Sequence, residues 1–291
     1  MLFEMNRILV CTDLLEKSDE VLRTAETIRK RTNAKVDILY VSDIGLHIEW
    51  SAIETRQETY YDKFLTGIKK DLTSRFSEQI KRTGLQGRAI FTEGNIVHEI
   101  KNQILNADVK YDLLILGHGG QTGEIGLLHR FLGSVARKII SHADVPTIIV
   151  KKKIEFNKIA SFVDGSKPLD WMVALSFDFY RVFKFHKIEF VSIKMDLPGP
   201  SFNENAMLDF KEQLTDDVEY LSRKGDIYDI KIEPTHEVML AYHFARIIEE
   251  DGVDLAILKR NRGKKLNKKL IGSETLRLLE LETSSILVLP V

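Results

Sequence analysis

Between Leu113 and Ile140 the chain reads LLILGHGGQTGEIGLLHRFLGSVARKII, and this stretch constrains the fold more than any other. Leu113 to Leu116 form a short unbroken apolar run, as in a strand buried on both faces. Gly117, Gly119, Gly120, Gly123 and Gly126 follow, and then Gly133-Ser134 opens a helical pattern with Val135, Ala136, Ile139 and Ile140 on its apolar or small positions. Strand, glycine loop and helix start make an anion site by geometry. Glycine lets the backbone approach a ligand, and the first helical amides have no carbonyl inside the helix to bond. Ser134 can add a hydroxyl donor. The stretch is read as a cradle for nucleotide phosphates; the plainer alternatives are a turn shaped by its glycines and a serine that only caps a helix.

The segments around it set the architecture. Ile8 to Cys11 predicts a strand that ends at Thr12-Asp13, and Asp13 stands where open parallel sheets place ligand-binding residues. Asp13 could equally cap the following helix. That helix starts with a capping signature at Ser18, with Asp19 and Glu20 in its first turn, and Val21, Leu22, Ala25 and Ile28 fall on one face. Lys35–Val41, Arg88–Thr92 and Thr147–Val150 predict further strands. Ile53–Thr83, Ile96–Ala107 and Ser134–His142 predict helices. Strands alternating with helices imply a parallel sheet covered on both sides. In that architecture Asp13 and the glycine loop meet if the first and fourth strands are neighbours.

After a charged linker, KKKIEFN at 151–157, the order of elements starts again. Strands are predicted at Ile159–Val163, Lys187–Ile193, Ile230–Glu233, Leu255–Leu258 and Ile286–Leu289. Helices are predicted at Trp171–Phe185, Leu208–Lys224 and Met239–Glu250, with another opening at Gly272-Ser273. This is an internal duplication with a period near half the chain. The expected fold is α/β: two tandem doubly wound, Rossmann-like domains at 1–151 and 152–291, each with a five-stranded parallel sheet flanked by helices.

Composition narrows the function. Lys+Arg 42 against Asp+Glu 43 leaves a net charge of −1, so the chain as a whole is not an electrostatic nucleic-acid binder. One cysteine, Cys11, excludes an intramolecular disulfide framework and a cysteine-based zinc site. It reads as packing near the end of a buried strand. No signal-peptide pattern or membrane-length apolar run is present, so a cytoplasmic protein is expected.

Both halves resemble the universal stress protein family in its tandem arrangement, over nearly the whole chain. ILVCTD matches the family's first strand with its terminal aspartate, LYVSD its second strand, and ADVPTIIV the proline before its last strand. The family's loop runs Gly, two residues, Gly, nine residues, Gly-Ser or Gly-Thr. Gly120-x2-Gly123 and Gly133-Ser134 satisfy that spacing literally. The register that starts at the strand end, Gly117-x2-Gly120, implies a three-residue insertion around Glu124 to His129 and is preferred. The resemblance implies a regulatory adenine-nucleotide-binding protein of the stress response that acts through nucleotide-dependent partner interaction. Its ligand would be ATP, with or without magnesium, in the first half. Thr12 and Asp13 would face the nucleotide, and Val41 would offer backbone groups to the adenine. Gly117, Gly119 and Gly120 would line the ribose and phosphates, while Gly133, Ser134 and Val135 would hold the terminal phosphates. It also implies pairing through the fifth strands, as a homodimer or an internal pseudo-dimer.

In the second half the loop glycines fall on Lys259 and Arg262, so side chains stand where the backbone should approach phosphate, and no equivalent ATP site is expected there. Asp164 and Gly272-Ser273 are retained. Lys259 to Lys269 hold seven basic residues in eleven, either a solvated loop or a site for an acidic or anionic partner. Phe177, Phe179, Tyr180, Phe183 and Phe185 crowd one helix, with core packing the leading reading. His118 and His129 read as loop residues. No P-loop or kinase signature occurs, so efficient catalysis is not expected. Slow ATP hydrolysis, with Asp13 on a metal and Arg130 or Arg137 supplying charge, is one alternative; an ATP-independent scaffold or ligand carrier is another.

Overall fold

The computed structural model describes residues 4–43, 58–108, 110–119, 133–163, 169–195, 204–235, 240–260, 273–281 and 284–290. It contains two compact units, one of Asn6–Gly117 and one of His118–Val291 with Met1–Met5.

The Asn6–Gly117 unit runs β1 (Arg7–Thr12), α1 (Ser18–Thr32), β2 (Lys35–Ser42), α2 (Glu58–Thr83), β3 (Arg88–Glu93), α3 (Ile96–Leu105) and β4 (Leu113–Gly117). Its strands lie in the order β3-β2-β1-β4, and every pairing is parallel. The order reverses at β1, because β2 and β3 build out on one side and β4 on the other. Leu113 to Leu116 are all buried, as the unbroken apolar run requires of a strand covered on both faces. Helix α1 packs on β1 and β4 through its expected face, Val21, Leu22, Ala25 and Ile28. Val21, Leu22 and Ile28 each contribute about 1.5–3 kcal/mol over an exposed side chain, and Ala25 less. Asn33 in the left-handed conformation ends α1, and its N–H returns to the Arg29 carbonyl at 2.7 Å.

One local expectation is corrected. Ser18 is not an N-cap; it is the first residue of α1, preceded by Lys17, which makes no side-chain cap. The Ser18 hydroxyl instead donates to Asp13. Asp19 is drawn into a buried bond from Gln79 and an ion pair with Arg82.

The other unit contains α4 (Ser134–His142), β5 (Thr147–Val150), β6 (Lys158–Phe162), α5 (Leu169–Phe183), β7 (Lys187–Met195), α6 (Glu204–Leu221), β8 (Tyr228–Thr235), α7 (Leu240–Glu250), β9 (Leu255–Lys259), α8 (Ser273–Leu281) and β10 (Ser285–Leu289). The strand order is β5-β10-β9-β6-β7-β8. All pairings are parallel except β5–β10, which is antiparallel with Ile148 opposite Leu287. The last strand of the first repeat therefore pairs with the last strand of the second within one chain. The aromatic crowd on α5 is core: Phe177, Phe179, Tyr180 and Phe183 are buried, as is Phe185 just beyond the helix.

The duplication extends to individual hydrogen bonds. The Asp112 carboxylate accepts from the N–H groups of Asn6 and Arg7, at 2.7 and 2.9 Å. The Asp254 carboxylate accepts from Asn157 and Lys158, at 2.7 and 3.0 Å. In both repeats an aspartate before the fourth strand fixes the entry of the first. Among the described residues no helix is long and apolar enough to cross a membrane.

Candidate functional site

The carboxyl end of β1 is held by α2. The Thr12 hydroxyl donates to Gln79 Oε1 at 2.7 Å and accepts from the Leu14 N–H at 3.2 Å. Gln79 Nε2 in turn donates to the Leu15 carbonyl at 3.1 Å and to Asp19 at 2.9 Å. Hydrogen bonding from Arg82 holds the Asp19 carboxyl below the usual carboxylate range, although burial acts the other way. Leu14 adopts φ 63, a conformation that costs a non-glycine residue about 1 kcal/mol or more. It is tolerated because the Leu14 side chain is buried and its N–H is bonded. The loop this builds presents Asp13, whose exposed carboxylate accepts from the Leu15 N–H at 3.0 Å and from Ser18. Thr12 stands opposite Tyr40 across the β1–β2 ladder. Val41 is buried and stands opposite Thr92 in β3. Gly117 ends β4; a Cβ there would meet Val21 Cγ2 at 3.2 Å, so its glycine serves close packing of β4 on α1. Thr12, Asp13, Val41 and Gly117 thus stand at one end of adjacent parallel strands.

In the other unit, Gly119 and Gly133 meet backbone to backbone. The Gly133 N–H donates to the His118 carbonyl at 2.9 Å. A Cβ on Gly133 would lie 2.6 Å from the Gly119 carbonyl oxygen and 3.2 Å from its Cα. Gly119 itself has φ +60, where glycine is at no disadvantage. Gly133 is the N-cap of α4, with φ −55 and ψ 146, and its carbonyl accepts from Arg137 at 3.0 Å. No side chain caps this helix. Ser134 opens α4 with its side chain exposed, and Val135 follows, half-buried. The amides of that first turn have no carbonyl within the helix to bond, and they carry the positive end of its dipole. Gly120, the proposed insertion at Glu124 to His129, and Arg130 lie outside the described residues.

The corresponding place in the second repeat is filled differently. The Arg260 N–H donates to the Leu289 carbonyl at 2.9 Å, as the His118 N–H does to Val150 at 3.1 Å. The Arg260 side chain is 1% exposed. Its Nη1 donates to the carbonyls of Ile140 and Ala143, at 3.1 and 2.7 Å, at the carboxyl end of α4. Its Nη2 lies 3.5 Å from Asp144. The basic run is therefore not one solvated block. Arg260 is a buried helix cap, because two carbonyls at the end of α4 and an acid supply what its charge needs. Asn261 to Lys269, like Asp164 and Gly272, lie outside the described residues.

Sequence reasoning missed Gln79 and misread the roles of Ser18 and Arg260. The only signal for Gln79 was a polar residue on a helix; its partners are 60 or more positions away. Cys11 is half-buried in β1, and burial pushes its thiol far above the ordinary range, which fits an unreactive packing role.

Comparison with known proteins agrees with this architecture. The family model described as the universal stress protein family matches residues 4–151. A universal stress protein of Methanocaldococcus jannaschii is 30% identical over 152 residues, spanning 50% of this chain and 82% of that protein. Among solved structures, a universal stress protein from Archaeoglobus fulgidus DSM 4304 has a TM-score of 0.66 at 17% identity, covering 99% of both chains. A functionally unknown protein of Pseudomonas aeruginosa PAO1 also has a TM-score of 0.66, at 15% identity, covering 98% of this chain and 92% of that one. At those identities the structural likeness speaks for the fold over the full length, and the sequence matches carry the assignment: the chain belongs to the universal stress protein family.

Proposed function

We propose that the first repeat, residues 1–151, binds ATP and that the second, 152–291, serves as a scaffold without an equivalent site. The observation that carries this reading is the Gly119–Gly133 contact. A Cβ would fill the space between the two backbones, and what the contact holds in place is the open first turn of α4. The amides of Ser134 and Val135 and the Ser134 hydroxyl would take the terminal phosphates. Gly117, Gly119 and Gly120 would give the nucleotide backbone to lie against, and the main chain of Val41 would meet the adenine. Asp13 would face the ligand from the end of β1 and is the acid to hold a magnesium ion, if one accompanies it. Thr12 would contribute main-chain groups, because its hydroxyl is already bonded to Gln79. ATP, when bound, would supply a conformational signal to partners. This reading supports no role for rapid chemistry.

The commitment of the Thr12 hydroxyl also favours a second reading, an ATP-independent scaffold in which the β1 loop is a structural latch. Equilibrium dialysis of the purified full chain with ATP separates the two. About one ATP per chain, reduced in a Gly133→Val variant that remains folded, is the expected result. No saturable binding at millimolar ATP would sink the nucleotide reading and leave the scaffold.

A further inference from the structure

The duplication provides an internal control for charge at the amino-terminal ends of the strands, the end opposite Asp13. Four ladder positions there can be matched residue by residue. Arg7 opens β1 opposite Lys35 of β2, and Asp37 of β2 stands opposite Arg88 of β3. In the second repeat, Lys158 opens β6 opposite Lys187 of β7, and Glu189 of β7 stands opposite Asp229 of β8. The second set is balanced, two cations with two acids. Lys158 pairs with the buried Glu189 at 3.0 Å, and Lys187 pairs with Asp229. In the first set Arg88 replaces the second acid, so the set holds three cations and one carboxylate.

That carboxylate is fully used in organising the cations. Asp37 has 5% of its side chain exposed. It accepts from Arg7 at 3.0 and 2.8 Å, from Arg88 at 2.9 Å to each oxygen, and from the Tyr111 hydroxyl at 2.6 Å. Burial raises its pKa, but the bonds from Arg88, Tyr111 and Arg7 more than reverse this, and the group stays ionised. One negative charge thus fixes two guanidinium planes and leaves the cluster with a positive surplus. The surplus lines a cleft of about 510 Å³ whose walls include Arg7, Arg29, Lys35, Gln86 and Arg88. Arg29 adds a further guanidinium, itself oriented by bonds to Glu26 at 2.8 and 2.9 Å. Among the described residues, Asp37 is the only acid lining this cleft.

We propose that this cleft is a second anion site of the first repeat, distinct from the α4 cradle, and that it takes the dianionic phosphate group of a small molecule. Guanidinium groups held in fixed planes match the oxygens of a phosphate in paired hydrogen bonds. Lys35 adds a point charge at the rim. The second repeat lacks the property because Asp229 occupies the position of Arg88. β1 is six residues long, so roughly 20 Å of strand separates this cleft from Asp13. Phosphate here would leave Asp13 accessible.

The test is an NMR titration of arginine Nε–H resonances in the full chain at constant ionic strength, with inorganic phosphate and, separately, glycerol 3-phosphate. Chloride serves as the control anion. Saturable shifts of the Arg7 and Arg88 resonances are expected with phosphate and not with chloride. Arg88→Asp installs the second repeat's arrangement and should abolish the Arg7 shift. Lys35→Gln, on an exposed side chain that leaves Asp37 undisturbed, should raise the dissociation constant roughly tenfold. Tighter binding of glycerol 3-phosphate would assign the site to a phosphate ester, and tighter binding of inorganic phosphate to the free anion; either supports the proposal. Shifts that do not saturate, or a dissociation constant unchanged in Lys35→Gln, would overturn it. The ATP cradle is tested separately by dialysis, so either site can fail alone.

Discussion

At the scale of single residues, Gly133 and Ser134 separate fold from ligand. A methyl on Gly133 would sit 2.6 Å from a carbonyl oxygen, a distance real Cβ atoms do not tolerate, and the obstacle is backbone that cannot rotate away. Gly133→Ala is expected to cost about 1–3 kcal/mol, as overpacking does, and to weaken ATP binding at least about tenfold. Ser134 is exposed and α4 has no side-chain cap, so Ser134→Ala should stay within about 0.5 kcal/mol of wild type in a urea melt. If its hydroxyl meets phosphate, the same variant loses roughly 1.5–3 kcal/mol of ATP affinity, the range for a bond to a charged group. Calorimetry on both variants checks this. A Ser134→Ala protein that melts normally and binds ATP normally would remove Ser134 from the site.

Asp37 makes a residue-scale prediction in pH. Its folded-state pKa is depressed, so it contributes stability above the ordinary carboxylate value, about 3.9, and that contribution is lost as pH falls through the folded value. Asp37→Asn leaves Arg7 and Arg88 facing each other without their counter-ion, and should cost about 3 kcal/mol at pH 7. The gap between variant and wild type should narrow in urea melts taken below about pH 4. A gap independent of pH would show that shape, not charge, holds the cluster.

At the scale of elements, the sequence showed most where the signal is local. Ser134–His142 and Thr147–Val150 were legible to the residue, because a glycine-serine start, an apolar helical face and a proline bracket them. Helix α6 starts at Glu204 and not Leu208, since its first turn, Glu204-Asn205-Ala206-Met207, is too short a mix of polar and apolar residues to carry a periodic signal. The Ser18 cap failed because Asp13, five residues earlier in the preceding loop, takes the hydroxyl. Arg260 was hidden by distance: its partners Ile140 and Ala143 lie 120 and 117 positions earlier, and a charge run looks alike whether solvated or buried. The structure also shows what Arg260 is for. It closes the carboxyl end of α4, whose amino end is the proposed cradle. Arg260→Ala should leave those carbonyls without their donor, speed amide exchange in α4, and leave β1 to β3 protected as before. Arg260→Lys should rescue only partly, because an ammonium can bond both carbonyls as Nη1 does but lacks the second nitrogen, Nη2, that lies 3.5 Å from Asp144. Unchanged exchange in α4 would mean that packing alone holds the helix.

At the scale of the whole molecule, the duplication resolves an edge problem. A four-residue strand with every residue buried, such as β5, presents a row of N–H and C=O groups that must pair. Here β10 covers that edge, with Ile149 opposite Ile286 and Thr147 opposite Val288. The two strands are equivalent elements of the two repeats and run antiparallel, which is the geometry two copies of one repeat adopt about a two-fold axis. Covalent linkage of the repeats gives β5 a partner at an effective concentration that no dilution removes. A chain ending at Lys151 loses that partner and keeps the edge. It is expected to sediment as a dimer at micromolar concentration, while the full chain uses the same edge internally and does not dimerise through it. Ile148→Lys in the shortened chain places a charge in the centre of the strand and should return it to a monomer. Circular dichroism establishes that both fragments are folded before they are compared. A folded, monomeric fragment without the substitution would show that β5 needs no partner, and that β10 completes the sheet of its own repeat without stabilising the other.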